Sequence, residues 1–511
     1  TAVYQGTLSL GFSTAALNVT SNILPATALT LGTATLGLVG SAWPNSQTFS
    51  STTLAGGANI SSSGTTPNVT VNLGAITRGA NSWADFNLTN GTGSTGSFTT
   101  TSTNDANGLL TLSGGGYVTV TTGTTTSDFG TVNTLGQVVA YSGYTTVTGG
   151  TGAGSATLNA LWNTGTSLTG TAAAPTDVNV VKIGSATAIN PTIDTNVLRF
   201  GTVGAILMPA GASATSIGDS NVLNGVIQAG GSVTNTAGEL HLINWSSNTL
   251  TINSLIKNNG TGVLTLVKSG SGNVTLGTST NTFTGSVIVN GGTLQVYTQS
   301  RIDTATELVL NGGTFYNSYN TTYDATLKVS LGLAGGTLQS SAGDGNTTYS
   351  WLTAATLYGN GPRQLTFAGA MSNRMQLFYP IIGDQGGATS LRYAFSDDNS
   401  VANLRPGNSD TGTNTYTGTT TIVRGNLRVG SPGAIGGGML ASATTGNIVF
   451  AATGVTRAIL ETNAIAGTVT RSVGYGTGQI HWEGNGGFSN SSAGIVAINL
   501  GGNKDKLTWG A

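Results

Sequence analysis

The chain has 511 residues, no cysteine, and a formal net charge of −1 from 17 basic and 18 acidic residues. Charged residues make up 7% of it and hydrophobic residues 38%, whereas ordinary soluble domains carry about 25% charge and disordered chains combine high charge with few apolar groups. These values exclude a disulfide scaffold and Cys-ligated metals; they supply no basic face for nucleic acid, and no apolar run of about 18 residues could span a bilayer.

The 79 glycines and the excess of Thr, Val and Ile suit tight turns and pleated strands, and no amphipathic helical window exceeds a turn or two. The sequence predicts an all-β chain. It opens on the strand-like run Val3-Tyr4-Gln5-Gly6-Thr7-Leu8-Ser9-Leu10 with no basic leader region before it, as expected of a mature or processed form. No acidic, basic or histidine side chain occurs before Arg78. Sequons such as Asn18-Val19-Thr20 and Asn346-Thr347-Thr348 are what so Asn/Thr-rich a composition produces by chance. Thr171-Ala172-Ala173-Ala174-Pro175-Thr176 interrupts the strand rhythm and reads as a loop between coils.

From Leu264 to Gln339 one phrase recurs. Val289-Asn290-Gly291-Gly292-Thr293-Leu294-Gln295-Val296 is followed by Leu310-Asn311-Gly312-Gly313-Thr314-Phe315 and Leu333-Ala334-Gly335-Gly336-Thr337-Leu338-Gln339. Each reads as a strand entering a tight bend and leaving as another strand. A period in the range of about 20 to 30 residues marks a solenoid, in which each coil buries its apolar face against its neighbours. At roughly 22 residues per turn the chain makes about 20 coils.

Two longer segments share more than the period. Lys268-Ser269-Gly270-Ser271-Gly272 leads into Asn281-Thr282-Phe283-Thr284-Gly285 and then Gly291-Gly292-Thr293-Leu294; Asn414-Thr415-Tyr416-Thr417-Gly418 leads into Arg424-Gly425-Asn426-Leu427. Phe283 and Tyr416, Gly285 and Gly418, and Leu294 and Leu427 hold equivalent places. The pattern resembles the passenger-associated transport repeat of bacterial autotransporter passengers; the second copy lacks the upstream Lys-Gly element. The resemblance implies a right-handed parallel β-helix, export, and a place outside the cell or on its surface in a Gram-negative-type bacterium. Flanking segments such as Asn248-Thr249-Leu250-Thr251-Ile252 are similar in style.

Residues 345–405 depart from the rhythm. They hold Trp351, Phe367, Phe378, Tyr379 and Tyr393 with Arg363, Arg374, Arg392 and Arg405. They read as a lateral insertion between a rod at 1–344 and its continuation at 406–511. Trp351, Tyr379, Arg374 and Arg392 are its candidate recognition residues, because aromatics and Arg anchor interfaces.

Catalysis is not expected. Acids are mostly single; Asp397-Asp398 is the one adjacent pair, and neighbours on a strand point to opposite faces. His481-Trp482-Glu483 offers two ligands but no third, His241 being the other histidine. Gly343-Asp344-Gly345-Asn346 lacks the calcium nonapeptide, and Gly270-Ser271-Gly272 is no nucleophile elbow. No cofactor is implied. The remaining expectation is structural: a homopolymer stacked head to tail through Val3, Tyr4, Leu8 and Leu10 at one end and Leu507 and Trp509 at the other, in a fibre or sheath. The alternatives are an adhesin stalk binding a surface glycan and, third, a polysaccharide-active β-helix.

Overall fold

The structure, a computed structural model, describes residues 1–12, 21–40, 44–63, 69–79, 81–88, 97–112, 118–122, 126–147, 155–163, 175–184, 197–218, 225–277, 279–298, 301–318, 321–323, 327–341, 347–350, 352–370, 375–409, 411–439, 443–462, 468–491 and 497–502. The described residues are almost entirely strand and turn, with two short 3₁₀ turns. Long sheets of parallel strands dominate, the pairing a β-solenoid requires. The chain divides into two compact units. The first comprises Thr1–Gln295, Ser300–Ala305 and Asn311–Gly313; the second comprises Val296–Gln299, Thr306–Leu310 and Thr314–Ala511. The division falls inside the repeat region, not at the boundaries expected at 344 and 405.

The first unit contains two stacks. In the opening stack Ala2–Gly11, Leu29–Val39, Gly57–Ser63, Trp83–Asn87 and Val118–Thr122 pair in parallel, one after another. Alternation puts Leu8, Leu36, Ile60, Phe86 and Val120 in one register column, and from Leu36 to Val120 every member is fully buried. Burying one such side chain contributes about 1.5–3 kcal/mol. The stack then changes character, because Thr126–Val132 and Val138–Ala140 are added antiparallel. A second series follows from Asn159–Trp162 through Thr176–Ile183, Val197–Met208, Gly238–Asn244 and Leu264–Ser269 to Ser286–Val289, again parallel.

The opening stack does not continue into this series as one rod. It lies against it: Leu109 and Phe129 of the first pack on Val180, Ala205, Leu207 and Ile243 of the second. The expected single rod over 1–344 is thus two stacks side by side within the first unit. The cause is visible in burial. Leu207 and Ile243 stand on the face opposite Ile206 and Leu242, yet all four are buried, so this sheet has two apolar faces and needs a cover.

The second unit corrects the expected insertion at 345–405. Arg363–Ala370 pairs in parallel with Gly336–Ser341 and with Thr389–Phe395, and Met375–Phe378 pairs with Thr347–Tyr349 and Val401–Leu404. These strands are coils of the stack. Two of their rings, Phe367 and Tyr393, are interior: Phe315, Leu338, Phe367, Tyr393, Ile422 and Phe450 form one register column. Phe367 and Tyr393 stack with ring centroids 5.1 Å apart and planes 2° from parallel. A cluster that reads as a recognition surface in one dimension is a packed core in three.

The period also changes. Leu266 pairs with Val287, 21 residues on, and Thr314 with Thr337, 23 residues on. Leu391 pairs with Thr420, 29 on, and Gly425 with Ala458, 33 on. A coil of about 22 residues describes the repeat region and some earlier turns, such as Asn159 with Val180, 21 on, and Thr176 with Leu198, 22 on; other turns are longer.

Candidate functional site

The residues that carry the repeated motif converge on the corners between coils. Lys268 occupies an inward position, between Leu242 and Val289 in register, and is fully buried. Its Nζ donates to the carbonyl oxygens of Ser269, Gly270 and Gly291 at 2.8, 2.8 and 2.9 Å. The ammonium thus ties the bend of its own coil to the bend of the next. Burial pushes its pKa down to about 7, while the three carbonyls favour the charged form. Glycine is needed around this cation. Gly292 has φ +59°, and a Cβ there would lie 2.8 Å from Lys268 Nζ; Gly270 has φ +77°, and both Gly270 and Gly272 lie against the backbone of the preceding bend at Asn244 and Ser246.

The second half of the motif has the same geometry in both copies. Asn281 Oδ1 accepts from Ile256 N–H at 2.9 Å, and its Nδ2 donates to Arg301 O at 2.9 Å. Asn414 Oδ1 accepts from Ile382 N–H at 2.8 Å, and its Nδ2 donates to Ala434 O at 2.7 Å. Each asparagine therefore clips the coil before it to the chain after it. Phe283 and Tyr416 are fully buried behind the clip, the Tyr416 hydroxyl sharing a 2.7 Å hydrogen bond with Thr420. Gly285 N–H donates to Leu264 O and Gly418 N–H to Thr389 O, both at 3.0 Å. Leu294 and Leu427 complete the core. Where the second copy reads Arg424-Gly425-Asn426, Gly425 supplies the positive φ (+86°) that Gly292 supplies in the first. Replacing Asn281 by Ala is expected to lower stability by about 2–4 kcal/mol, since two buried backbone groups lose their partners. Urea unfolding of Asn281→Ala and Asn281→Asp checks this: Asp keeps the acceptor but loses the donor, and should fall between wild type and Ala.

Two buried arginines repeat the role of Lys268 in the second unit, and sequence reasoning missed both roles. Arg363 donates to the carbonyls of Leu331, Tyr358, Gly359, Gly361 and Gln385. Arg471 donates to those of Gly436, Gly438, Gly446 and Gly478. Burial draws Arg471 down to about 10. The available signal was a lone cation among glycines, as at Lys268.

The contact between the two stacks of the first unit is the other polar cluster. Arg78 Nη2 and His241 Nε2 both meet Glu239 Oε2 at 2.9 Å. Burial raises the Glu239 pKa, but His241 and Arg78 outweigh it and hold the carboxylate below its usual range; burial lowers that of His241. Trp83 and Trp245 meet edge to face at 5.2 Å. The asparagines of the repeated phrase serve here too: Asn290 donates to Asn81 O at 2.8 Å and Asn311 to Asn290 Oδ1 at 3.0 Å. Thr33 donates to Asn311 O at 3.0 Å. Asp85 accepts from Thr119 and Thr121 at 2.7 and 3.1 Å.

The other candidates are dispersed. Val3 and Leu8 pack on the core of their own stack, Leu10 is buried, and Tyr4 of the same strand is 38% exposed. Leu507, Trp509, Trp351 and Arg374 lie outside the described residues, as does the turn at 343–346. Tyr379 and Arg392 are half-buried, Arg392 between Thr366 and Thr421 in register. Asp397 binds Ser400 in a turn while Asp398 pairs with Arg424. His481 contacts Glu483 at 3.3 Å and is largely buried, not a surface group as its neighbourhood in sequence suggests. Among the described residues no three His, Cys, Asp or Glu side chains converge as metal ligands, and no helix is long and apolar enough to cross a membrane.

Residues 266–296 and 411–429 match the family described as the passenger-associated-transport-repeat. They are the two segments whose Asn, aromatic and Gly residues make equivalent contacts. No curated protein and no solved structure matches the chain. Over these two segments the chain is similar to the passenger-associated-transport-repeat.

Proposed function

We propose that the chain is a structural extracellular protein whose parallel β-helix, right-handed as in the passengers it resembles, builds a fibre or sheath on the surface of a Gram-negative-type cell. The observation that carries this reading is the fate of the motif. Its Lys, Asn and aromatic side chains are consumed inside the coils, where they fasten one turn to the next, leaving little for chemistry on a ligand. Charge of 7% offers little repulsion against the packing of one copy on another. Electron microscopy of the purified chain over a range of concentrations tests this. Fibres that lengthen with concentration are expected, and particles of constant size at every concentration would sink the reading.

Adhesion is the second reading, favoured by the partial exposure of Tyr379 and Arg392. It requires glycan-array binding that is lost in a Tyr379→Ala, Arg392→Ala double variant.

A further inference from the structure

Lys182 and Asp128 meet where the two stacks of the first unit pack together. Lys182 stands on the outer face of Thr176–Ile183, beside Leu161 and Leu207 in register; Asp128 stands on Thr126–Val132 of the opening stack. Lys182 Nζ contacts Asp128 Oδ1, and the two side chains are only 16% and 15% exposed. The surroundings are apolar. Phe129, Val180, Leu207 and Ile243 belong to the cluster that joins the stacks, with Tyr141 and Tyr144 packed on it. Lys182 Nζ lies 5.1 Å from the centre of the Tyr144 ring. The Tyr144 hydroxyl accepts from Phe129 N–H at 3.1 Å, and burial together with the neighbouring Asp128 carboxylate holds the phenol well above its usual range.

An amine held against a carboxyl group in a water-poor pocket has two fates: an ion pair, or condensation. Fixed proximity converts their encounter into an intramolecular reaction, and a hydroxyl aimed at the carboxyl oxygen stabilises the charge that develops there.

We propose that Lys182 and Asp128 form an intramolecular amide bond that welds the opening stack to the second stack. Lys182 Nζ passes one proton to the Asp128 carboxylate and then attacks Cγ, forming the C–N bond while the nearby Tyr144 hydroxyl faces the developing oxyanion. The C–OH bond then breaks, and the departing hydroxide takes a proton from the former amine nitrogen. One carboxyl oxygen and two amine protons leave as a single water; no oxidant, metal or cofactor enters. In a chain with no cysteine this is a covalent lock that needs no disulfide.

The test is intact mass of the full chain, followed by peptide mapping. The wild type is expected to weigh one water less than its sequence, with a branched peptide joining the segments around Asp128 and Lys182. Lys182→Arg keeps the ion pair but cannot condense, and should show the full mass while folding normally by circular dichroism. Asp128→Asn, if it condenses, should lose ammonia instead of water. Tyr144→Phe should slow the mass change after refolding. A folded wild type of full mass overturns the proposal, and so does a missing water that mapping places elsewhere, such as an Asn-Gly succinimide.

Discussion

Replacing Gly285 or Gly418 by Ala is expected to cost each variant about 3 kcal/mol or more, whereas Gly291→Ala should cost under about 1 kcal/mol. All three belong to the repeat motif, and Gly291 stands in its most regular phrase. Their surroundings differ. A Cβ on Gly285 would lie 2.6 Å from the Leu264 carbonyl carbon, and one on Gly418 would lie 2.7 Å from that of Thr389. In both cases the obstacle is backbone, and it belongs to the coil whose carbonyl accepts the glycine's own N–H. The chain cannot retreat without breaking that bond. Gly291 meets nothing nearer than Gly270 O at 3.5 Å, an ordinary contact, and its φ is not positive. Its neighbour Gly292 combines a left-handed backbone with contact at Lys268 Nζ, and should behave like Gly285. Thermal and urea unfolding of the four variants ranks them. Equal losses at Gly291 and Gly292 would show that the repeat does not hold its bend as described.

That ranking also marks how far the sequence could be read. The all-β class followed from composition, and the equivalence of Phe283 with Tyr416 and of Gly285 with Gly418 followed from spacing; the structure gives each pair one environment. Which glycine of a pair is essential was not legible, because the approach of a neighbouring coil is set by residues some 20 positions away. The folding back of the opening stack was hidden for a related reason. Leu36 and Ile60 alternate with polar neighbours as any half-buried strand does. The signal lay in the covering partner: Gly204–Met208 is a continuous apolar run, and Val180-Val181 and Leu242-Ile243 are adjacent apolar pairs, the mark of a sheet buried on both faces. The region 345–405 misled because residue types were read without their parity. Leu365 and Phe367, then Leu391, Tyr393 and Phe395, alternate inward, and that alternation outweighs the unusual composition.

The clip asparagines and the buried cations answer one physical problem. A stacked coil bends several times per turn, and each bend leaves carbonyls that no strand pairs. Leaving a buried carbonyl unpartnered costs about 1–3 kcal/mol. Lys268, Arg363 and Arg471 each satisfy several such carbonyls with one side chain, and carbonyl dipoles replace the counter-carboxylate that a buried charge ordinarily requires. The burial of these three cations and their placement at bends are thus one property. An outward lysine would do little for a stack; an inward one fastens two bends.

The pH response of the first unit should run opposite to ordinary acid denaturation at one residue, Asp85. It is 1% exposed on the strand Trp83–Asn87. Burial pushes its carboxyl from 3.8 up to about 7, with the Thr119 and Thr121 hydroxyls opposing the shift. A folded-state pKa above the unfolded one means that the folded chain holds the proton more tightly. This group's contribution is therefore greatest in acid and is lost as the pH rises from about 4 to about 7. The change from 3.8 to about 7 corresponds to roughly 4 kcal/mol as an upper bound. Glu239, held below its usual range, works the other way: its stabilisation is lost as the pH falls through the folded value. The comparison must therefore be between wild type and Asp85→Asn, in which the Glu239 response cancels. The amide fills the same space and stays neutral. Amide hydrogen exchange over Trp83–Asn87 and Val118–Thr122 reads the local stability directly. The variant should be close to wild type at pH 4 and more protected at pH 8, by a factor approaching 10³ if the whole of roughly 4 kcal/mol is recovered. A protection difference that stays the same from pH 4 to pH 8 would mean that Asp85 is ionised throughout, and that the two threonine hydroxyls suffice to hold a buried charge there.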